Sequence, residues 1–508
     1  MKISRGKTIS VVMIITLVSK CLGFLRDMVL AYCYGANTIT DAYYVAQTIP
    51  EFLFSLVVQA IAIGFIPIYM DILNDNGERE AFSFTKKIHY LGWIFVCVLI
   101  AVVYLFSEPL VKLFASGFDP STAKLAEVFI KISVWGMFFR ISAAVDSAFL
   151  NANNNFTIPS LTGVPLDIIT IISIFVSYYL KIPEILAVGI VVSSLSQMIL
   201  QKPSVKKVFN GFKNKDFKLF DVHVKKMIAL FLPVAIGVGA SQINLLVDRT
   251  LASTIEGGIS ALNYANKVNN ILENIMILSL ATVMFPTFSK HAAKNDIQSL
   301  SNDISHTLLI TIVIMLPCSF FSFIYAVDAI QILFGRGAFD ATAVNLTVQA
   351  MQFYSIGLIF ISCNAILVRA MYSLKKVKTV SLCSWISVFV NVLLNLFLMR
   401  YMQIRGLALA TSIANMCTTI LLLYNLKKQI GSSFIKNIKN EVLKIIGISF
   451  VVCIVAFLLD YALNLFINEL VACCISASIS ILLYLFLTII FKVSIITDTV
   501  KKIMIRFA

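Results

Sequence analysis

Three ionisable residues lie close together in the first long apolar stretch of the sequence: Lys20, Arg26 and Asp27. Lys20 and Asp27 are two helical turns apart, so a helix places them on one face. Because an ionised group inside a bilayer is costly, it normally faces a wet cavity or a partner of opposite charge. Cations that face a cavity would bind an anionic group such as pyrophosphate. The alternative is internal salt bridging, with Arg26 neutralised by Asp27 or Asp41.

A stripe of polar residues runs along a later apolar segment at the spacing of one helix face. It consists of Asn263, Lys267, Asn270 and Asn274. Lys267 would add positive charge to a cavity. Amide hydrogen bonds between neighbouring helices are the alternative explanation of the stripe.

Two further cations, Lys131 and Arg140, fall on nearly opposite faces of a predicted fourth helix. We therefore expect at least one of them to pair locally or to extend toward the membrane interface. Neither is assigned to the anion site. The apolar segments also contain carboxylates, among them Glu51 and Asp167.

The elements that position these residues are predicted to be transmembrane helices. Of the 508 residues, 59% are hydrophobic and 13% are charged, whereas soluble domains are about one quarter charged. Long apolar runs such as 308–327, 445–467 and 470–490 each provide the roughly 20 residues that a spanning helix needs. The sequence therefore predicts an all-α polytopic membrane protein with about fourteen transmembrane helices.

Lys and Arg are concentrated on one side of the predicted membrane. The predicted inside segments hold 28 of the 41 basic residues; these segments are the N-terminus, 71–87, 202–226, 289–304, 373–378, 427–444 and the residues after 491. The positive-inside rule then places both termini in the cytoplasm, which accounts for the net charge of +15 without a nucleic-acid partner. The cysteines and histidines lack the spacing of a zinc site. Short outside loops leave no room for a catalytic domain, so we expect no enzyme.

A sparse internal repeat indicates two similar halves. Asp27, Leu30, Ala31 and Tyr43 recur at one constant offset as Asp248, Leu251, Ala252 and Tyr264. An even number of predicted helices separates the copies, so the halves are parallel repeats. We predict an N-terminal lobe over 1–205, a basic cytoplasmic linker over 206–225, and a C-terminal lobe over 226–428. Each lobe has about six helices, and 429–508 forms two additional helices.

Several short motifs follow one another along most of the chain. They are Gly23-Phe24-Leu25-Arg26-Asp27, Asp41-Ala42-Tyr43, Phe65-Ile66-Pro67, Asp248-Arg249, Ala261-Leu262-Asn263-Tyr264-Ala265 and Leu333-Phe334-Gly335-Arg336-Gly337. Together they resemble the MurJ (MviN) family of peptidoglycan lipid II flippases. The resemblance implies the fold of the multidrug/oligosaccharidyl-lipid/polysaccharide exporter superfamily, with two lobes around a cationic cavity. It also implies a groove for a polyprenyl tail in the two C-terminal helices.

The resemblance and the intramembrane charges together give a set of expected substrate-binding residues. These are Arg26, Asp27, Lys20, Asp41, Lys267 and Asn270. Many members of the family carry a pair of arginines and then an acidic residue where this chain has Phe54, Ser55 and Gln59, a departure that weakens the positive field of the cavity. The resemblance also implies a cation site in the second lobe, formed by Asp248, Asn391, Asn395 and Thr411. A coupling cation, Na⁺ or H⁺, is thus expected, and no other cofactor.

The resemblance implies a lipid II flippase in the bacterial cytoplasmic membrane. We expect it to move an undecaprenyl-pyrophosphate-linked precursor to the outer leaflet by alternating access, as a monomer surrounded by membrane lipids. Association with cell-wall synthesis machinery is left open. One alternative is a flippase for another lipid-linked glycan of the capsule or teichoic-acid type. A membrane glycosyltransferase or ligase would need outside catalytic residues, and a division scaffold would leave the buried cations unexplained.

Overall fold

The computed structural model describes residues 5–209, 219–273, 277 and 279–497. No β-strand occurs within these ranges. The helices of the first part of the chain are α1 (Arg5–Tyr34), α2 (Thr38–Asn76), α3 (Glu78–Phe114), α4 (Pro120–Ser133), α5 (Gly136–Ala152), α6 (Thr157–Leu161), α7 (Gly163–Leu180), α8 (Glu184–Phe209) and α9 (Val222–Ala252). Those of the second part are α10 (Gly258–Glu273), α11 (Ser279–Ala293), α12 (Ile297–Ile324), α13 (Ala326–Leu333), α14 (Ala341–Ser373), α15 (Val377–Met402), α16 (Ile404–Ile430), α17 (Ser433–Asn464) and α18 (Glu469–Ile490).

Many of the described helices have the length and hydropathy of membrane spans. Ten meet both criteria, and the bent pair α4 and α5, which meets at 45°, makes eleven if it is one span. Such helices satisfy their backbone hydrogen bonds internally and leave apolar side chains for lipid. The prediction of an all-α, multi-pass membrane protein is confirmed. The count of about fourteen spans stays a prediction.

The chain forms two compact units, and unit 1 comprises Met1–Ser260 with Arg336–Asp340. Its helix α2 packs against α3, α4, α5 and α9, while α1 packs against α7 and α8 packs against α5 and α7. Large aromatic side chains form part of its core. Phe65 stacks on Tyr69 with ring centroids 5.6 Å apart, and Tyr69 meets Phe149 edge-to-face at 5.7 Å. All three are fully buried, so this cluster holds α2 and α5 together.

Unit 2 comprises Ala261–Gly335 and Ala341–Ala508. Helix α14 packs against α12 and α16, α15 packs against α16, and α17 packs against α12 and α18. Close approach of α14 and α16 depends on Gly357, where an added Cβ would lie 2.6 Å from Ser412 Oγ. In unit 1, Gly136 meets Ser194 in the corresponding way, with a Cβ-to-Oγ distance of 3.2 Å. In each unit, a glycine on one helix thus lets the serine of a neighbouring helix approach closely.

The division between the compact units lies at Ser260 rather than within the basic segment 206–225. Helix α9 packs against α2 and α3, and Asp221 links the start of α9 to Lys87 of α3. The Asp221 carboxylate accepts hydrogen bonds from Lys87 Nζ at 2.6 Å and from Val224 N at 2.8 Å. Of the predicted linker, 210–218 lies outside the described residues. The lobe and linker boundaries, and the lipid-tail groove in 429–508, stay predictions.

Candidate functional site

Unit 1 contains a polar cavity among its apolar helices. Its volume is about 370 Å³, and helices α1, α2, α4, α5, α7, α8 and α9 contribute its walls. The polar groups that line it include Arg26, Gln47, Thr48, Glu51, Arg140 and Ser194. Polar groups inside a membrane protein are placed to meet water or a polar ligand. This cavity is therefore the candidate site in unit 1.

Arg26 donates all of its described hydrogen bonds to two carboxylates. Its Nε and Nη2 atoms donate to Asp27 Oδ1 at 3.1 and 2.9 Å, and its Nη1 atom donates to Asp167 Oδ1 at 2.9 Å. Both carboxylates are buried. The cluster of one guanidinium and two carboxylates carries a formal charge of −1, which disfavours an anion beside it. Salt bridging of Arg26 is thus observed, with Asp27 and Asp167 as partners rather than Asp41.

Arg140 is differently placed. Its Nη1 atom donates to Glu51 Oε2, and its Cζ atom lies 5.3 Å from the centroid of the Phe54 ring. Arg140 and Glu51 line both the first cavity and a second one of about 240 Å³. Sequence reasoning gave Arg140 no role in the site, because it assumed one straight helix. In the structure the chain bends by 45° between α4 and α5. The other cation of this pair, Lys131, bonds Glu127 at 2.7 Å, so the expectation that one of the two pairs locally is confirmed.

The second cavity is lined by the residues at which the sequence departs from the family pattern. These are Phe54, Ser55 and Gln59, which line it together with Arg140. The family resemblance leads us to expect a pair of arginines and an acidic residue at these three positions. Arg140 is the one cation that lines this second cavity, within the part of the chain that the structure describes.

Asp41 stabilises a helix terminus instead of lining the cavity. Its Oδ1 atom accepts hydrogen bonds from Ser260 N at 2.8 Å and Ser260 Oγ at 2.6 Å. Ser260 is in the first turn of α10, where backbone N–H groups lack helical partners and a carboxylate is favourable. The side chain of Asp41 is buried. A contact between Asp41 and a substrate stays a prediction that this geometry does not support.

The other predicted substrate contacts are not assembled around Arg26 within one unit. Lys20 is exposed on α1 and is not among the residues that line the 370 Å³ cavity. Lys267 and Asn270 are half-buried on α10 in unit 2. Asn274, the last member of the polar stripe, lies outside the described residues. Of the six predicted residues, the structure places Arg26 and Asp27 in direct contact.

The predicted cation site is in part a chain of side-chain hydrogen bonds. Asn395 Nδ2 donates to Asn391 Oδ1 at 2.7 Å, and Asn391 Nδ2 donates to Thr411 Oγ1 at 3.3 Å. These three residues belong to unit 2, whereas Asp248 belongs to unit 1. Among the residues that the structure describes, no group of three or more His, Cys, Asp or Glu side chains could hold a metal ion. The amide and hydroxyl oxygens of these three residues are uncharged donors, so by themselves they suit a weakly held cation at most.

The chain matches a family model along most of its length. The model described as "Lipid II flippase MurJ" matches residues 30–476. The chain belongs to the MurJ family. A protein of Buchnera aphidicola subsp. Baizongia pistaciae named "Probable lipid II flippase MurJ" is 30% identical over 80% of this chain and 81% of the relative. The "Lipid II flippase MurJ" of Burkholderia cenocepacia is 27% identical, with 82% of each chain covered.

Solved structures of MurJ and of a more distant transporter resemble the chain. A structure titled "Lipid II flippase MurJ, inward closed conformation" has a TM-score of 0.80 and 27% identity, and it covers 94% of this chain and 98% of its own. An inward-facing MATE family multidrug transporter of the MOP superfamily has a TM-score of 0.68 at 15% identity, and it covers 83% of this chain and 98% of its own. The second likeness shows the fold alone. The superfamily fold implied by the sequence is confirmed, and the family is one of transporters.

Proposed function

We propose that this protein is a lipid II flippase of the bacterial cytoplasmic membrane with both termini in the cytoplasm. The observation that carries the proposal is a polar cavity with two arginines inside a multi-pass MurJ family protein. The disaccharide-pentapeptide pyrophosphate headgroup of the substrate is polar and cannot cross hydrocarbon, whereas its undecaprenyl tail remains in lipid. A cavity of this kind replaces the hydration of the headgroup during transfer.

The proposed mechanism is alternating access without covalent chemistry. The cavity opens to the cytoplasmic side, takes up the headgroup, and then opens to the outer side. Arg26 is held by Asp27 and Asp167, so it fixes the position of α1 against α7 on the cavity wall. Coupling to Na⁺ or H⁺ belongs to this proposal, as does a monomeric protein that uses membrane lipids and its lipid-linked substrate as partners.

One observation favours a second candidate, a flippase for another polyprenyl-pyrophosphate-linked glycan of the capsule or teichoic-acid type. Phe54, Ser55 and Gln59 line the second cavity and supply no positive charge there. A headgroup with fewer anionic groups or a different sugar would suit such a wall.

Complementation tests both candidates. The gene should restore growth to a bacterial strain depleted of its lipid II flippase, and lipid II should become accessible on the outer leaflet to an enzyme added from outside. The matched control is an Arg26→Ala, Arg140→Ala double variant at equal membrane abundance, which should fail. Wild-type protein that reaches the membrane but exposes no lipid II would contradict the first candidate. Rescue of a strain defective in capsule or teichoic-acid precursor export would then support the second.

A further inference from the structure

We infer that Arg140 is the residue of unit 1 that binds the pyrophosphate of the lipid-linked substrate, and that the substrate displaces Glu51 from it. The inference rests on the proposed function and deepens it. It assigns the anion-binding role to Arg140 rather than to Arg26, on four observations: the hydrogen-bond donors of each guanidinium, the formal charge of each ion cluster, the position of Arg140 between two cavities, and its contact with Phe54.

The donors of the two arginines are used to different extents. A guanidinium has five N–H groups. Arg26 uses Nε, Nη1 and Nη2 on two buried carboxylates. Arg140 donates one hydrogen bond, to Glu51, within the part of the chain that the structure describes. Arg140 therefore keeps donors for a ligand, whereas Arg26 would have to break contacts with Asp27 or Asp167 first.

The charges point in the same direction. Arg26, Asp27 and Asp167 together carry a formal charge of −1, whereas Arg140 and Glu51 together are neutral. A pyrophosphate that replaces Glu51 on Arg140 exchanges one anion for another. That exchange leaves Arg140 paired. The displaced Glu51 carboxylate loses its partner, but its side chain is 41% exposed, so cavity water can hydrate it.

The Arg140 and Glu51 pair lies where the two cavities of about 370 and 240 Å³ meet, because both residues line both cavities. Their side chains are 29% and 41% exposed, respectively, so the pair is open to cavity solvent. Separation of Glu51 from Arg140 would join the cavities into a larger polar space. A pyrophosphate with its attached sugar needs such a continuous space.

Phe54 holds the guanidinium while its partner changes. The Arg140 Cζ atom lies 5.3 Å from the centroid of the Phe54 ring, and Phe54 is buried. A cation–π contact uses the face of the guanidinium and leaves its edge for hydrogen bonds. The edge of Arg140 can therefore turn from one carboxylate oxygen to two phosphate oxygens, the bidentate geometry for which arginine is suited.

A purely structural salt bridge predicts opposite results, and a set of four variants separates the two roles. We would purify the full chain in nanodiscs and measure binding of undecaprenyl pyrophosphate together with the thermal unfolding midpoint. Arg140→Gln should weaken binding by about tenfold or more, and Arg140→Lys should be intermediate because lysine lacks the bidentate edge. Glu51→Gln should tighten binding several-fold. The Glu51→Gln, Arg140→Gln double variant should bind as weakly as Arg140→Gln alone.

The control variant is Lys131→Gln, which removes a cation that pairs with Glu127 and lines neither cavity. It should bind like the wild type. Binding by the double variant at the wild-type level would show that the pair only stabilises the fold, and unchanged binding by Arg140→Gln would overturn the inference. If Arg140→Gln does not fold, Glu51→Gln decides alone: tighter binding supports the inference and weaker binding refutes it.

Failure of the inference differs from failure of the proposed function. Undecaprenyl pyrophosphate carries no glycan, so its binding does not depend on which lipid-linked precursor is the substrate. If the wild-type gene complements the depleted strain but Arg140→Gln binds undecaprenyl pyrophosphate like the wild type, the protein is a lipid II flippase and Arg140 does not bind the pyrophosphate. If the variants show the expected binding pattern but the protein does not transport lipid II, Arg140 does bind pyrophosphate and the substrate is another polyprenyl-pyrophosphate-linked molecule.

Discussion

Substitution of Arg26 by glutamine tests the assignment of Arg26 to an internal ion cluster. Arg26→Gln leaves Asp27 and Asp167 buried without a cation, although both were held by hydrogen bonds of 2.9 Å. Loss of one partner from a buried ion pair costs about 3–5 kcal/mol. Since the side chain of Arg26 is 22% exposed and cavity water screens part of the charge, we expect a loss near the lower end, about 3 kcal/mol.

The second carboxylate makes the prediction sharper. Asp167→Asn removes one of the two negative charges but leaves Arg26 paired with Asp27. It should cost about 1.5 kcal/mol, the lower end of the range for a hydrogen bond to a charged group. The double variant Arg26→Gln, Asp167→Asn leaves a single unpaired carboxylate. It should therefore be more stable than Arg26→Gln alone, which is a favourable coupling between the two sites.

Unfolding by heat and by sodium dodecyl sulfate, followed by tryptophan fluorescence of the protein in detergent micelles, measures these differences. The expected order of stability is wild type, Asp167→Asn, the double variant and then Arg26→Gln. Two results would refute the ion cluster: an Arg26→Gln protein as stable as the wild type, or a double variant less stable than Arg26→Gln. If a stable Arg26→Gln protein still transports the substrate, Arg26 is not required for transport.

Three further predictions concern topology, the polar stripe and the start of α9. Cysteines placed at Ser116 and Arg336 should react with an impermeant thiol reagent from outside intact cells, and one placed at Asp216 should not; the opposite labelling would invert the topology. Lys267→Arg should sustain transport and Lys267→Glu should abolish it, whereas equal transport by both would make Lys267 a helix-packing residue. Burial raises the pKa of Asp221, but its hydrogen bonds with Lys87 and Val224 lower the pKa further. The Asp221 contribution to stability is then full above the ordinary aspartate pKa of about 4, and it is lost progressively as the pH falls below that value through the lowered pKa of the folded state. Acid should therefore lower the unfolding midpoint of the wild type more than that of Asp221→Asn.

The sequence predicts those parts of the fold that depend on local pattern. Long apolar runs are sufficient to identify spanning helices, because a bilayer selects each helix by its own length and hydropathy. The pairing of Arg26 with its neighbour Asp27 is local in the same sense. The pairing of Arg26 with Asp167 joins residues 141 positions apart, and the packing of α1 against α7 decides it. No spacing rule within one helix predicts such a contact.

The position of Arg140 shows a second limit of sequence reasoning. A single straight helix from 124 to 150 places Lys131 and Arg140 on nearly opposite faces. The structure instead ends α4 at Ser133 and begins α5 at Gly136, with a 45° bend between them. The bend separates the direction of Arg140 from that of Lys131, so helical periodicity no longer relates them. A small residue at Gly136, packed against Ser194, is the one sequence signal that could have indicated the break.

A cavity whose cations are already paired is consistent with a carrier that must also release its ligand. Unpaired arginines would bind pyrophosphate tightly, but they would hold it equally on both sides of the membrane, and tight binding alone moves no equilibrium. In the proposed mechanism Glu51 competes with the substrate for Arg140, so the net gain on binding is the difference between two ion pairs. Glu51 also returns to Arg140 when the headgroup leaves, which restores the neutral pair and favours release. Glu51→Gln should therefore bind undecaprenyl pyrophosphate more tightly yet turn over more slowly than the wild type, and a Glu51→Gln protein that both binds and transports faster would contradict this competition.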